Sequence, residues 1–250
     1  KDLSLKFSVL ILFPKSKLLI NNTSNVSLNT QYSKSSDIFR FDKMNDLKNM
    51  TPKYKLWYYG PQTRFFQSIN FRNKRKSLLW DNYTVIGAFQ QLTESRHIQK
   101  TEDTLLNNRN ENVVIYDINI DFKKTKRIVN FTYGIGARWQ EVISTASLTN
   151  NRYSLYNRTR YPKGGSLIKD IFAYNHTKIS ITKKLNTVFG LRVNARILKA
   201  NFNDPVFENL KNNNSSSIHS ALLTYELTSK TSISGAYYGG FRNPNIDDIG

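Results

Sequence analysis

The side chains with chemistry to offer are three histidines and two groups in which aromatic residues and arginines interleave. The chain has no cysteine, so it carries no thiolate ligand, thiol nucleophile or disulfide framework. His97 stands beside Arg96 and close to Gln99 in a polar stretch, whereas His176 and His219 fall in strand-like segments. No two of them have the spacing of metal ligands, so neither a metal site nor a cofactor is expected. Ser220 follows His219, but neighbours in a strand point to opposite faces and cannot form a nucleophile–base pair. Asp247 and Asp248 are adjacent rather than set apart as an acid and a base. No enzyme is expected. What remains is recognition. Trp57, Tyr58 and Tyr59 precede Gly60-Pro61, and Tyr153, Tyr156 and Tyr161 lie among Arg152, Arg158 and Arg160. Stacking and bidentate pairing by such groups suit an anionic chelate. The same groups suit still better an interfacial aromatic belt with cations turned towards lipopolysaccharide.

The elements that would hold these residues announce themselves by alternation. In Asn112–Phe122 the even positions are Val114, Tyr116, Ile118, Ile120 and Phe122, with Asp117, Asn119 and Asp121 between them. In Val129–Gln140 the odd positions are apolar and the even ones carry Asn130, Arg138 and Gln140. Phe189, Leu191, Val193, Ala195 and Ile197 alternate with Arg192, Asn194 and Arg196. Period two over such lengths means strands with one apolar and one polar face. Weaker alternation adds strands at about 3–13, 24–35, 62–72, 81–92, 167–182, 216–228 and 231–241, about ten in all. Within 167–182 Phe172 and Tyr174 share one face while Ile171, Ile179 and Ile181 share the other, which leaves the orientation of that strand open.

Connectors alternate too. Short links near 73–80, 123–127, 183–185 and 229–230 take turns with long ones near 36–61, 93–111, 143–166 and 201–215, the pattern of a transmembrane β-barrel. The clear apolar faces hold no charge, which fits a lipid-facing surface where a midplane cation costs about 2–4 kcal/mol. A soluble sandwich with its apolar face inward produces the same alternation. Length separates the two, because soluble strands average about 5–6 residues and tilted membrane strands need about 9–11. For the strands 112–122 and 129–140 to share an apolar face, facing residue numbers must sum to an odd number. A two-residue turn at Lys124-Thr125 or Thr125-Lys126 achieves this.

The formal charge of +19 invites a nucleic-acid reading. Its distribution argues otherwise, because the basic residues gather in connectors such as Arg72–Lys76 and Lys123–Arg127, so no nucleic-acid partner is expected. No apolar run is long enough for a membrane helix. The start, with Lys1 and without a small-residue cleavage site, reads as a strand of an internal fragment rather than a leader.

The segment Gly239–Gly250, GGFRNPNIDDIG, resembles the Phe-Arg-Ala-Pro-Asn box of TonB-dependent outer-membrane receptors, with Asn243 where that family usually has Ala. SSDIFRFDKM (Ser35–Met44), LWYYGPQTR (Leu56–Arg64), FQQLTESRHIQK (Phe89–Lys100), NRNENVVIYDINIDFKK (Asn108–Lys124) and TRYPKGGS (Thr159–Ser166) resemble the same family in the same order. The resemblance spans about residues 18–250. It implies an all-β, antiparallel transmembrane barrel of the roughly 22-stranded, plugged class, of which about ten strands lie here and the plug does not. It implies a receptor in the outer membrane of a Gram-negative bacterium that takes up an iron complex, a siderophore or haem, driven by the TonB system. Outer-membrane lipid and lipopolysaccharide would be its surroundings. Ligand contacts are then expected from Arg242, Asn243 and Asn245 at the rim, Trp57, Tyr58 and Tyr59, Arg96 and His97, and Arg158 and Arg160, with Arg242 serving either as such a contact or, by preference, as a structural hydrogen-bond donor to neighbouring loops. The long segments 93–111 and 143–166 are expected outside the cell and Lys123–Arg127 on the periplasmic side. In haem-uptake members the loop after the box carries a His, so sequence following Gly250 would decide between haem and other cargo. The competing readings are a passive porin-like channel and a soluble basic β protein binding nucleic acid.

Overall fold

A computed structural model describes residues 8–248. It is almost wholly antiparallel sheet. The strands are β1 (Val9–Leu12), β2 (Lys15–Leu19), β3 (Ser24–Ser35), β4 (Ile38–Phe39), β5 (Leu47–Lys48), β6 (Thr51–Pro52), β7 (Tyr54–Tyr59), β8 (Thr63–Asn73), β9 (Asn82–Lys100), β10 (Leu106–Lys126), β11 (Val129–Thr149), β12 (Ser154–Tyr156), β13 (Ser166–Ser180), β14 (Leu185–Ala200), β15 (Leu210–Thr228) and β16 (Thr231–Tyr238). One helical turn, α1 (Phe41–Met44), and a 3₁₀ turn (Ile246–Asp248) complete them. The main path runs β1-β3-β8-β9-β10-β11-β13-β14-β15-β16 in chain order, with β2, β4, β7 and β12 pairing off it, and among the described residues either end is an unpaired edge.

Four of these strands are arms of two longer ones. β1 and β2 pair with β3 in a single register (Val9 opposite Ser35, Lys15 opposite Asn29), and Pro14 interrupts the ladder only because it lacks an N–H. Its carbonyl still accepts the Thr30 N–H at 3.0 Å. The first strand therefore continues to Leu19, past the expected end at Phe13; the expected part at 3–7 lies outside the described residues. β7 and β8 both pair with β9, but Gly60, Pro61 and Gln62 face only Glu94 and Ser95. That is a bulge of one residue, and it reverses the inward and outward positions between the two arms. Gly60 adopts φ 98°, and a Cβ there would stand 2.9 Å from the Ser36 carbonyl oxygen. Only glycine fits both conditions.

Several expected loops are strand. β9 runs to Lys100, β10 begins at Leu106 and β15 begins at Leu210, so 93–111 shrinks to a short link and the last part of 201–215 joins the wall. Asn- and Ser-rich sequence pairs here because neighbouring strands supply the ladder, not because its side chains favour burial. The β10–β11 turn is a two-residue turn with the expected parity, since Lys126 faces Val129. It sits at Arg127-Ile128, with Arg127 at φ 52°, rather than at Lys124–Lys126. β16 ends at Tyr238, short of the expected 241.

Register settles the faces. Tyr116, Trp139, Lys169 and Ile197 stand in one row, and Ile120, Ile135, Ala173 and Val193 in another. On this apolar face Ile118, Ile135, Ile171 and Phe189 are each half-exposed or more, and among the described residues nothing packs over them. The charged face is the buried one: Asp170 is 8% exposed and Glu111 6%. A soluble sandwich would reverse this distribution. The fold is a curved wall with lipid on its apolar side and a polar lumen, as a transmembrane barrel requires. From Phe189 to Ile197 the apolar stripe of β14 runs about 26 Å along the strand, comparable once tilted to the ~25 Å apolar band of such barrels. Aromatic rows edge it. Trp80, Tyr83, Phe122 and Tyr133 contact one another at the short-turn end, and Phe65, Phe89 and Tyr116 at the long-loop end.

The orientation of β13 follows from the same register. Ile171 and Ile179 face lipid with Ala137 and Val129, and Phe172 and Tyr174 face the lumen opposite Gly136 and Gly134. A Cβ on Gly134 would come within 2.8 Å of the Tyr174 ring, and one on Gly136 within 2.5 Å of the Phe172 ring. The two glycines leave notches that two rings fill. Tyr174 also donates from its hydroxyl to Asp121 at 2.5 Å.

Candidate functional site

The lumen face of the wall is crossed by a ladder of alternating charge. Asp117, Arg138, Asp170 and Arg196 occupy one row on four consecutive strands. Arg138 donates to Asp117 at 2.7 Å, and Arg196 donates to both oxygens of Asp170 at 2.7 Å. Above that row lies a small apolar cluster of Val142, Ile168, Leu198 and Ile246, with Val113, Tyr161 and Leu210 against it. Ile246 comes from the terminal segment and Tyr161 from the connector after β12, so both segments fold back onto the lumen wall. The backbone carbonyl of Pro244 accepts from Arg196 at 3.3 Å, and Arg160 pairs with Asp247 at 3.4 Å.

This arrangement repositions the terminal box. Arg242–Asn245 was expected to open a rim loop; instead it leaves β16 at mid-height and lies along the lumen wall. Arg242 pairs with Asp248 of its own segment at 2.6 Å. Asn245 closes the 3₁₀ turn, accepting the Ile246 N–H on its side chain at 2.8 Å while its own N–H donates to Asp248. Asn243 buries its side-chain oxygen without a hydrogen-bond partner among the described residues.

Beyond the long-loop aromatic row, the lumen face carries Glu94 opposite Glu111 and Arg96 opposite Arg109. Burial pushes the Glu111 carboxyl above its usual range, against the opposing pull of Arg160 and Arg96. Ser144 hydroxyl lies 3.5 Å from Glu111 and accepts from the Tyr161 N–H at 3.5 Å. Burial and the adjacent Asp247 push the Tyr161 phenol up to about 12. Arg96 and Arg160, far apart in sequence, thus converge on one carboxylate.

The aromatic triplet splits. Because of the Gly60–Gln62 bulge, Trp57 and Tyr59 face the lumen with Ile98 and Arg96, while Tyr58 faces outward with His97. Arg96 lies 5.1 Å over the Tyr59 ring. Arg40, which sequence reasoning passed over, joins them from the other side. It lies 5.4 Å from the Trp57 centroid, donates to the Tyr59 hydroxyl at 3.0 Å and forks onto Asp42 at 2.8 and 2.6 Å. That hydrogen-bonded guanidinium holds the Asp42 carboxyl at about 2. The one available signal was the Phe-Arg-Phe-Asp string Phe39–Asp42. Tyr58 stacks on His97 at 4.4 Å, and His97 shares a 2.6 Å hydrogen bond with Asn108 on the outward face, so His97 does not reach the lumen. Arg158 stands 6.0 Å from the Phe207 ring, apart from Arg160. Among the described residues no cluster of His, Asp and Glu could hold a metal ion. Arg40 and Arg96 thus form an aromatic-backed pair around Trp57 and Tyr59; elsewhere on the lumen face Arg64 lies 5.6 Å over Phe66 and Arg192 3.9 Å over Phe172, and Arg160 is tied to the folded-back segments.

Neither a family model nor a curated protein matches the sequence. Solved structures do match in fold. The chain superimposes on the copper transporter OprC with a TM-score of 0.77 at 8% identity, covering 96% of this chain and 38% of that one. The siderophore receptor PiuA from Acinetobacter baumannii gives 0.65 at 12% identity, over 93% of this chain and 42% of that one. The unliganded ferric citrate transporter FecA gives 0.67 at 15%, over 92% and 35%. The chain has the fold of the barrel wall of TonB-dependent outer-membrane receptors, and it spans well under half the length of the structures it resembles.

Proposed function

We propose that this chain is part of the barrel wall of a TonB-energised outer-membrane receptor that takes up an iron complex, a siderophore or haem, in a Gram-negative bacterium. The observation that carries the reading is the inversion of polarity: an uncovered apolar face edged by aromatic rows, with charges and hydrogen-bonded arginines turned inward. Solved structures of similar fold, a copper transporter, a siderophore receptor and a ferric citrate transporter, support uptake of a metal complex. A plug and a TonB-contacting segment would come from parts of the protein outside this chain. Arg40, Arg96, Trp57 and Tyr59 are the groups we assign to an anionic chelate, because they face the lumen beyond the long-loop aromatic row. Arg242 is assigned a structural part through Asp248. Lys169, Lys199 and Lys211 stand on the outward face at or beyond the same row, where lipopolysaccharide phosphates would lie.

The test is growth on single iron complexes by a strain lacking the full-length gene, complemented with wild type or variants, with and without a working TonB. Loss of one complex with the gene and with TonB supports the reading. Loss again on Arg96→Ala, with Arg242→Ala unaffected, supports the site. Uptake that persists without TonB points to a passive channel and overturns it.

A further inference from the structure

We infer that the short-turn rim of this wall is an anchor for anionic phospholipid headgroups, with the segment Lys74–Asp81 as its inserted element. The inference concerns the basic connectors, which the transport reading does not use, and it rests on the barrel reading only for which leaflet surrounds that rim.

Three observations converge. The first is charge. The β8–β9 turn supplies Lys74, Arg75 and Lys76, and the β10–β11 hairpin supplies Lys124, Lys126 and Arg127. The fold brings these separate runs together through Asp81, which accepts from the Thr125 N–H at 2.7 Å and pairs with Lys124 at 3.1 Å. Asp81 is held below the usual carboxylate range, first by the Thr125 hydrogen bond and then by Lys124. One carboxylate thus stands among six cations and pairs with Lys124, and no other ion pair is made by them among the described residues. The neighbouring hairpins add Lys183, Lys184 and Lys230 on the same rim.

The second observation is exposed apolar surface within the same turn. Leu78 is 92% exposed and Leu79 63%, and Ile128 is exposed in the adjacent hairpin. A solvated turn has no reason to display two leucines, but an interfacial segment does. The third is height. Trp80 follows directly and belongs to the aromatic row that edges the apolar band, in contact with Tyr83 and Phe122. The Tyr133 hydroxyl donates to the Leu79 carbonyl at 2.8 Å, which pins the turn against that row. The leucines therefore sit at the boundary of acyl chain and headgroup, with the cations just beyond it. Polybasic residues next to an interfacial apolar segment are the arrangement that captures anionic lipid.

The test uses the full-length protein in lipid nanodiscs containing phosphatidylcholine with either phosphatidylglycerol or lipopolysaccharide, reading retained lipid by native mass spectrometry. Wild type should hold phosphatidylglycerol in preference to phosphatidylcholine, and the preference should fall with salt. Each cation near such a surface is worth about fivefold, so Lys74→Gln/Arg75→Gln/Lys76→Gln should lose on the order of a hundredfold. Leu78→Asn/Leu79→Asn, which leaves the charges in place, should shift Trp80 fluorescence to the red. If the triple variant fails to fold, the salt dependence of the wild type and the fluorescence of the leucine variant still decide. Equal retention of the two phospholipids, retention unchanged in the triple variant, or preferential capture of lipopolysaccharide by these residues would each overturn the inference. Cargo uptake is measured separately: a protein that takes up no iron complex yet keeps phosphatidylglycerol sustains the anchor and refutes the receptor.

Discussion

Replacing Asp170 by Asn in the full-length protein should loosen the lumen wall where the terminal segment docks. Asp170 is 8% exposed, and both of its oxygens accept from Arg196 at 2.7 Å. Removing one partner of a buried pair generally costs about 3–5 kcal/mol, because the remaining charge stays desolvated. Here the guanidinium side chain is 20% exposed and still donates to the Pro244 carbonyl at 3.3 Å, so part of that charge remains solvated and paired. A loss of roughly 2–3 kcal/mol is the consistent expectation. Asn keeps the shape and one acceptor, so lost volume does not contribute. Urea unfolding in detergent, followed by the heat-dependent electrophoretic mobility of the barrel, measures the loss. Limited proteolysis should show 239–248 cut faster, since Arg196 is one of its polar tethers, with Arg160 at Asp247. A double-mutant cycle with Arg196→Gln should return a coupling of at least about 1 kcal/mol. An unchanged midpoint together with an unchanged digestion pattern would refute the idea that this ladder holds the segment.

Gly136→Val should destabilise the barrel by about 1–3 kcal/mol, because its Cβ would collide with the Phe172 ring, whereas Gly235→Val, with open space around it, should be near neutral in the same unfolding assay. Glu111 has a carboxyl raised by burial, so its contribution to docking the Tyr161 segment is fully present below the ordinary carboxylate range and is lost as pH rises through the raised value. Proteolysis between residues 157 and 165 should accordingly be slower at low pH, and Glu111→Gln should remove that dependence. The 250-residue chain alone should not give a monodisperse, cooperatively unfolding monomer in buffer, since β1 and β16 leave two open edges; analytical ultracentrifugation with a urea titration decides it.

Much of this wall was legible wherever period-two alternation ran unbroken. Asn112–Phe122 and Val129–Gln140 announce their faces, and the parity of their pairing holds. Their turn lies later than expected because Lys123–Lys126, basic and polar, continue the ladder outside the lipid. The same physics hid the upper parts of β9, β10 and β15: beyond the lipid band both faces are wet, and Asn or Ser at either position gives no alternation to read. The lumen-facing rings of β13 were unreadable from their own strand, since the notches at Gly134 and Gly136 that receive them belong to its neighbour. The site was legible as a set of residue types but not as a geometry. Arg96, Trp57 and Tyr59 do meet; Tyr58, His97 and Arg242 face other partners, and Arg40 carried no signal stronger than a single arginine between phenylalanines.

The bulge at Gly60–Gln62 also predicts where the gene can lose a codon. Three residues there face two, so removing one leaves a plain one-to-one ladder in which Tyr59 still faces Arg96 and Thr63 still faces Thr93. No side chain on either arm changes solvent. A one-residue deletion within Thr63–Asn73 has no such slack, and every residue to one side of it would exchange lipid for lumen. Insertions and deletions among homologous wall strands should therefore gather at such irregular points and be rare within the regular runs between them.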